Sequence, residues 1–281
     1  MKRQQLFIIS GAFVLVVLLF FFGKTTLPPK NSPTAIPPQA AASSPLQFND
    51  LLVKAKQKLT EAQNQKLAGL ENAVIRGDVN EQKMHIFHQL ARFWKDSAKI
   101  FEPYAYYTGE AAKLENSEKN LTFAARLFVD NLLIEGEPAM QNWLATNAKD
   151  LLDRALKINP DNDSSKIGLG ACYMFGNISD NPMQGILTVR EVVQKDPNNL
   201  YGQLILGLGG KKSGQFDKAI EHFMVIISKE PKNLEVIFQL AECYELKSDK
   251  VNAIKWYQAG EKLVPDQEIK KQIEKRINEL K

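Results

Sequence analysis

Apolar residues recur at helical spacing from residue 48 onward. In the first stretch Leu51, Ala55, Leu59 and Ala62 lie three or four positions apart, a spacing that places them on one face of an α-helix. The Asn-Gly and Asp-Gly pairs that mark tight hairpins are absent from the sequence, and the β-branched residues are scattered among Lys, Glu and Gln. The pattern therefore predicts an all-α body.

Two further helices are predicted between residues 81 and 114. The first, over residues 81–95, presents apolar side chains along one face: Met84, Phe87, Leu90, Ala91 and Trp94. The second passes through Tyr104, Tyr107, Ala111 and Leu114. Gly77 and Asp78 are expected to end the helix before them, because Gly commonly terminates a helix.

Four prolines mark an internal repeat. Pro160, Pro197, Pro231 and Pro265 are 37, 34 and 34 residues apart. Nine residues after the first three stands a large residue followed by a small one: Leu169-Gly170, Leu206-Gly207 and Leu240-Ala241. Twelve residues before the last three stand Gly185, Ala219 and Ala253, each followed four positions later by Val189, Phe223 or Tyr257. A period of this length indicates stacked helix pairs.

The repeat resembles the tetratricopeptide repeat (TPR), which has Leu-Gly on its first helix and Ala, an aromatic residue and a final Pro on its second. The match is residue by residue over 200–231 and 233–265. The unit ending at Pro197 is three residues longer, which we place in the turn over residues 177–182. The resemblance implies an α-solenoid, with three TPR units over 161–265 and degenerate TPR-like units in the helical region over 47–160.

The repeat also implies that no helix pair is stable alone. Small residues such as Gly207 and Ala219 let the two helices of a unit approach closely, and each proline ends a second helix because it lacks a backbone N–H. Each unit leaves an apolar face open, so the last unit needs a cap. Residues 266–281 are predicted to form this capping helix, with Ile269, Ile273, Ile277 and Leu280 in one apolar stripe.

The resemblance implies a binding groove lined by the first helix of each unit. The groove positions in the three units are Ile167, Met174 and Phe175; Tyr201, Leu204, Leu208 and Lys211; and Glu235, Phe238 and Glu242. The side chains are mostly apolar and lack the Lys, Asn and Arg set with which some TPR proteins hold a C-terminal carboxylate. They favour an apolar or amphipathic protein segment as partner. The alternative is that neighbouring helices, or the N-terminal helical region, cover these positions.

The N-terminus contains an uncharged apolar run over residues 6–23, with Lys2 and Arg3 before it and Lys24 after it. As a helix it would span roughly 27 Å, close to the thickness of a bilayer's hydrocarbon core. We expect residues 1–24 to be a signal-anchor transmembrane helix, because the apolar part of a cleaved signal peptide is shorter, about 7 to 15 residues. A cleaved signal remains the alternative.

The short N-terminal tail favours a single-pass inner-membrane protein with a cytoplasmic N-terminus and a periplasmic or other extracytoplasmic body. Residues 25–46 are predicted to be a linker, because six prolines fall between Pro28 and Pro45 without an apolar period. In polyproline II geometry such a linker could hold the body as much as ~70 Å from the bilayer.

Composition and charge exclude several classes of function. The net charge of +4 is too small to indicate nucleic acid as the partner. Cys172 and Cys243 occupy equivalent positions two units apart, too far for a disulfide, and are expected to be buried thiols. His85 and His88 are expected at the surface. The run over residues 207–214 is rich in Gly and Lys but lacks the spacing of a phosphate-binding loop. The sequence indicates no cofactor, metal site or catalytic group.

The expected function is that of a membrane-anchored scaffold or chaperone-like adaptor that binds a protein or peptide segment without catalysis. One alternative is a self-associating structural element whose groove is filled by a second copy. Another is an accessory subunit of an envelope enzyme or assembly complex. A weak hydrolase in the degenerate region would require a polar pocket there.

Overall fold

The computed structural model describes residues 46–76, 79–179 and 181–281, without the side chains of residues 75 and 76. Within these residues the first six helices are α1 (Phe48–Lys56), α2 (Glu61–Arg76), α3 (Asn80–Arg92), α4 (Phe101–Glu115), α5 (Glu118–Leu132) and α6 (Pro138–Ile158). The others are α7 (Asp163–Phe175), α8 (Met183–Lys195), α9 (Leu200–Lys212), α10 (Phe216–Lys229), α11 (Leu234–Leu246), α12 (Lys250–Glu261) and α13 (Gln267–Leu280). A π-helical turn, Phe93–Ala98, continues α3, and the described chain contains no strand.

The helices pack as antiparallel neighbours in sequence: α3 on α4, α5 on α6, α7 on α8, α9 on α10 and α11 on α12. The second helix of each pair packs on the first helix of the next, and α13 packs on α12. This is the tetratricopeptide type of solenoid that the proline spacing predicts. The N-terminal helices extend the stack, since α1 packs on α4 and α2 packs on α3.

Small residues hold the helices of a pair close together, as predicted. A Cβ atom added to Gly170 would lie 2.8 Å from the carbonyl oxygen of Gly185, and one added to Gly207 would overlap the Phe223 ring, with Cδ1 at 2.8 Å. Ala219 packs against Gly210, with 3.3 Å between its Cβ and that of a side chain placed at Gly210. Phe223 therefore occupies the space that Gly207 leaves.

The first helix of each regular pair begins after an asparagine N-cap. Asn162, Asn199 and Asn233 each stand two residues after a repeat proline. Their side-chain oxygens accept hydrogen bonds from the N–H groups of Ser165, Gly202 and Val236 at 2.7, 2.9 and 3.1 Å. Such a cap satisfies a backbone donor that has no partner within the helix. The predicted lengthening of the first regular unit is confirmed, because residues 176–182 separate α7 from α8 whereas only residues 213–215 separate α9 from α10.

The capping helix covers the last pair with fewer side chains than expected. Ile273, Ile277 and Leu280 are buried, but Ile269 is 47% exposed, because it precedes the part of α13 that lies against the last pair. The predicted four-residue stripe is therefore wrong at its first position. Glu245 on α11 fastens the helix by accepting hydrogen bonds from Arg276 and from the hydroxyl of Tyr257, the latter at 2.9 Å.

Both cysteines are buried and unpaired, as predicted. Burial raises the pKa of Cys172 to about 12 and that of Cys243 to about 11. Both thiols therefore stay protonated and unreactive at neutral pH.

The described residues include no helix that is both long and apolar enough to cross a membrane. The predicted span over residues 6–23 lies outside the described residues, as does the predicted linker up to residue 45. Both remain predictions.

Candidate functional site

The first helices of the pairs form one layer, and the stack curves toward it. The guanidinium carbon of Arg126 on α5 lies 4.2 Å from the centre of the Tyr201 ring on α9. Helix α7 stands between α5 and α9 and packs on both. Contact between side chains of two helices separated by a third is favoured on the concave side of a curved layer. We call this side, formed by α3, α5, α7, α9 and α11, the inner face.

The predicted groove positions on α7 are not available at this face. Ile167, Met174 and Phe175 are 0%, 8% and 8% exposed. The ammonium of Lys212 lies 5.2 Å from the centre of the Phe175 ring. Arg126 contacts the Tyr201 ring across α7. At α7 the burial fits the alternative stated above, in which neighbouring helices cover these side chains.

The predicted positions on α9 are partly accessible. Tyr201, Leu204 and Leu208 are half-buried, and burial raises the pKa of Tyr201. Lys211 forms an ion pair with Glu242 on α11 and donates a hydrogen bond to Gln239 at 2.7 Å. This bridge joins α9 to α11 along the inner face.

The positions on α11 do not form one surface. Glu235 is exposed, and Glu242 is held by Lys211. Phe238 is half-buried against α12, where its ring faces Gly260 and lies 6.4 Å from the Tyr257 ring, centre to centre. Phe238 therefore contributes mainly to packing within its own pair.

A cleft of about 410 Å³ opens between α3 and α5. Its lining comprises His88, Ala91, Arg92, Lys95, Asp96, Tyr104, Thr108, Ala112, Glu115, Asn120 and Phe123. Helices α3 and α5 belong to the first-helix layer, whereas the side chains from Tyr104 to Ala112 come from α4 in the second layer. Because α4 forms its floor, the cleft opens on the inner face.

The cleft combines an exposed aromatic side chain with a polar rim. Phe123 is 59% exposed. Across from it, His88 Nε2 lies 2.6 Å from Glu115 Oε1, and Asn120 donates a hydrogen bond to the same carboxylate. The π-helical turn carries Lys95, whose ammonium lies 5.6 Å from the centre of the Tyr104 ring. The arrangement suits a partner that offers both an apolar side chain and hydrogen-bonding groups.

Sequence reasoning did not predict this cleft. Glu115 stands 27 residues after His88, so local spacing could not pair them. One signal was present in the register: Phe128 follows Ala125 by three residues, as Tyr173 follows Gly170. That match identifies α5 as a first helix.

The cleft is the polar pocket that a hydrolase in the degenerate region would require. His88 and Glu115 lie within hydrogen-bonding distance, but a nucleophile must also be placed next to a base. The Thr108 hydroxyl lines the cleft and donates to the carbonyl oxygen of Tyr104 at 2.8 Å. The geometry therefore favours binding over catalysis. His85 and His88 are exposed, as predicted, and the described residues contain no group of metal-binding side chains.

No protein-family model matches the chain. The chain is similar in fold to the MamA protein, with a TM-score of 0.44 and 16% identity over 64% of this chain and 91% of that one. It is also similar to YrrB, described as a TPR protein with an unusual peptide-binding site (TM-score 0.42, 15% identity, 73% of this chain and 97% of that one). A third similar structure is a TPR protein from Parabacteroides merdae ATCC 43184 (TM-score 0.45, 13% identity, 80% and 96%). None shares enough sequence for its function to be transferred to this chain.

Proposed function

We propose that this protein is a scaffold that binds a segment of another protein on its inner face, with an apolar side chain of that segment seated in the cleft between α3 and α5. The observation that carries the proposal is Phe123, an aromatic side chain 59% exposed beside a cleft of about 410 Å³. Aromatic side chains are enriched at protein interfaces because they bury a large area in a fixed geometry.

The chemistry of the cleft supports an amphipathic partner segment. Its floor offers the ring of Tyr104 and the methyl group of Ala112, while its rim carries Arg92, Lys95 and Asp96. A mixed-charge rim around an apolar floor selects a segment by register as well as by hydrophobicity. The half-exposed Leu204 and Leu208 on α9 offer a second apolar area on the same face.

The membrane anchor belongs to the same proposal. Its support is the uncharged apolar run over residues 6–23, which has the length of a membrane-spanning helix. With this anchor the scaffold would hold its partner at a distance from the bilayer set by the proline-rich residues 25–46, in an extracytoplasmic compartment. Lipid contact would be confined to the N-terminal helix.

Photo-crosslinking of the full-length chain in its native cells tests the proposal. A photo-reactive residue replaces Phe123 in one variant and Leu204 in another. Val251, 79% exposed on the second-layer helix α12, provides the control position. We expect the same discrete adduct with another protein from both inner-face positions and none from position 251.

Two outcomes would contradict the proposal. Adducts formed only between copies of the chain would support the self-associating element, and sedimentation of the purified protein would then show a concentration-dependent oligomer. The same diffuse adducts from all three positions would mean that the inner face has no specific partner.

A further inference from the structure

Helix α9 lacks two side chains that both neighbouring first helices possess. Aligning the Leu-Gly positions of the three units places Gly209 with Cys172 and Cys243, and Gly210 with Tyr173 and Tyr244. The two cysteines are fully buried, and Tyr244 packs in the apolar clusters of its unit. At the equivalent point of α9 the Met174 methyl group and Ala219 occupy the places of these two side chains, and an open space remains beside Gly209.

This space is a recess at the edge of the stack where the turns within pairs lie. A pocket of about 190 Å³ is lined by Met174, Pro182, Ile186, Gly209, Lys212 and Ser213. Its volume corresponds to several water molecules at about 30 Å³ each. The lining is mainly apolar, so water in the pocket has few hydrogen-bonding partners and would be displaced readily by an apolar group. We call it the Gly209 pocket.

Met174 forms one wall and links the pocket to a smaller recess. The Met174 sulfur lies 3.9 Å from the point where a Cβ of residue 209 would stand. The adjoining recess, about 30 Å³, shares Met174, Ile186 and Gly209 with the pocket. It is also lined by Arg190, Lys218 and His222.

The charged groups around these two recesses are cationic. Arg190, Lys212 and Lys218 line them, and no carboxylate of the described residues does. Lys212 donates to the carbonyl oxygen of Met174 at 3.3 Å, and Lys218 donates to Gln215 at 2.8 Å. Among the described residues, none of these three cations forms an ion pair. Their charge is available to an external carboxylate.

We propose that the Gly209 pocket binds one apolar side chain of a partner peptide in which a carboxylate follows closely in sequence. The apolar side chain fills the pocket between Met174, Pro182 and Ile186, and the carboxylate lies against Lys212 and the neighbouring cations. The pocket is separate from the cleft between α3 and α5. A negative result at one site therefore does not contradict the proposal for the other.

The test is binding of a short synthetic peptide with one Leu followed by two Asp residues to the full-length protein. The probe is the Met174 methyl resonance in protein labelled at its methionine methyl groups. We expect this resonance to shift on titration. A peptide with Ala in place of Leu should bind roughly tenfold more weakly or worse, because it buries less apolar area.

Charge reversal separates a specific site from general attraction. Lys212→Glu should weaken binding of the acidic peptide about tenfold, by replacing attraction with repulsion. Lys250→Glu is the matched control, since Lys250 is exposed on α12 outside the pocket, and it should leave the affinity within about twofold.

The proposal is wrong if the Met174 methyl does not shift at millimolar peptide. It is equally wrong if Lys212→Glu and Lys250→Glu bind alike, or if the Leu and Ala peptides bind with the same affinity.

Discussion

The three C-terminal helix pairs are regular, whereas the helix pairs in the N-terminal half of the stack are irregular. From α7 to α12 the pairs have matched helix lengths, Asn caps and small residues at their contacts. In the N-terminal half, a π-helical turn ends α3, α6 extends to 21 residues and a cleft separates α3 from α5. The regular pairs mainly bury their own side chains, whereas the irregular half exposes Phe123 on a polar cleft.

The comparison teaches that the binding features lie where the repeat departs from its own pattern. Ile167 occupies a repeated position and is completely buried. The cleft at Phe123 and the pocket at Gly209 both lie beside such departures. In a regular solenoid the side chains pack against neighbouring helices. Where this pattern is interrupted, a surface becomes accessible to another molecule.

The largest expected effect comes from replacing one phenylalanine in each half with alanine and comparing the two losses of stability. Phe223 is fully buried against Gly207, so Phe223→Ala should lower the free energy of unfolding by about 3–5 kcal/mol. Phe123→Ala removes an exposed side chain and should change it by less than about 0.5 kcal/mol. Urea denaturation followed by circular dichroism measures both. Equal losses would mean that Phe123 belongs to the core.

A pair of glycine substitutions gives the next largest effect, with opposite signs. A Cβ at residue 170 would stand 2.8 Å from the Gly185 carbonyl oxygen, so Gly170→Ala should destabilise the protein by about 1–3 kcal/mol. Gly69 on α2 has nothing within 4 Å of an added Cβ. Gly69→Ala should therefore stabilise by about 0.5–1 kcal/mol through helix propensity. Thermal and urea unfolding would disagree with this account if both substitutions had the same sign.

Helix caps should distinguish the halves by about 1 kcal/mol. Asn199→Ala removes a side chain that accepts from the Gly202 N–H at 2.9 Å, and should destabilise by about 1 kcal/mol. Ser117, which precedes α5, makes no capping hydrogen bond through its side chain. Ser117→Ala should cost only a few tenths of a kcal/mol. A larger loss at Ser117 than at Asn199 would contradict the cap assignment.

The smallest expected effect is the pH dependence of the stability that Glu245 gives to the capping helix α13. Hydrogen bonds from Arg276 and Tyr257 hold the pKa of Glu245 below its ordinary value. Because the folded-state pKa is the lower one, the stabilisation is complete above the unfolded-state pKa and is lost as pH falls through the folded-state pKa. Its size is under about 1 kcal/mol, since solvent screens the pair. Glu245→Gln should remove this part of the acid dependence, measured as unfolding midpoints from pH 7 to pH 3.

Much of the fold could be predicted from the sequence, because the repeat residues act locally. Pro197, Gly207 and Ala253 each set a helix end or a close contact within one unit, and their spacing survives in the sequence. In the degenerate half the sequence pattern predicts helices but not their positions within the repeat. The reason is that Ala124 stands where Leu169, Leu206 and Leu240 stand in the regular units.

The binding surface was harder to predict, because exposure depends on curvature and on distant neighbours. Tyr201 meets Arg126, 75 positions earlier in the chain, and no local pattern encodes that contact. Met174 and Phe175 occupy the correct helix of the repeat, yet Gly209 and Lys212 from the next unit cover them. The exposure of Phe123 is hard to predict for the converse reason, since an aromatic residue within a helix is normally assigned to the core.

Maleimide labelling of a cysteine at position 123 tests most directly whether the cleft is occupied by a partner. Cys172 and Cys243 are buried with raised pKa values, so the introduced thiol dominates the reaction. In Phe123→Cys the thiol should react rapidly in the purified protein, at low and high protein concentration, and at least about tenfold more slowly in native cells. A thiol in Val251→Cys should react at similar rates in both. Equal rates at position 123 in purified protein and in cells would contradict the account.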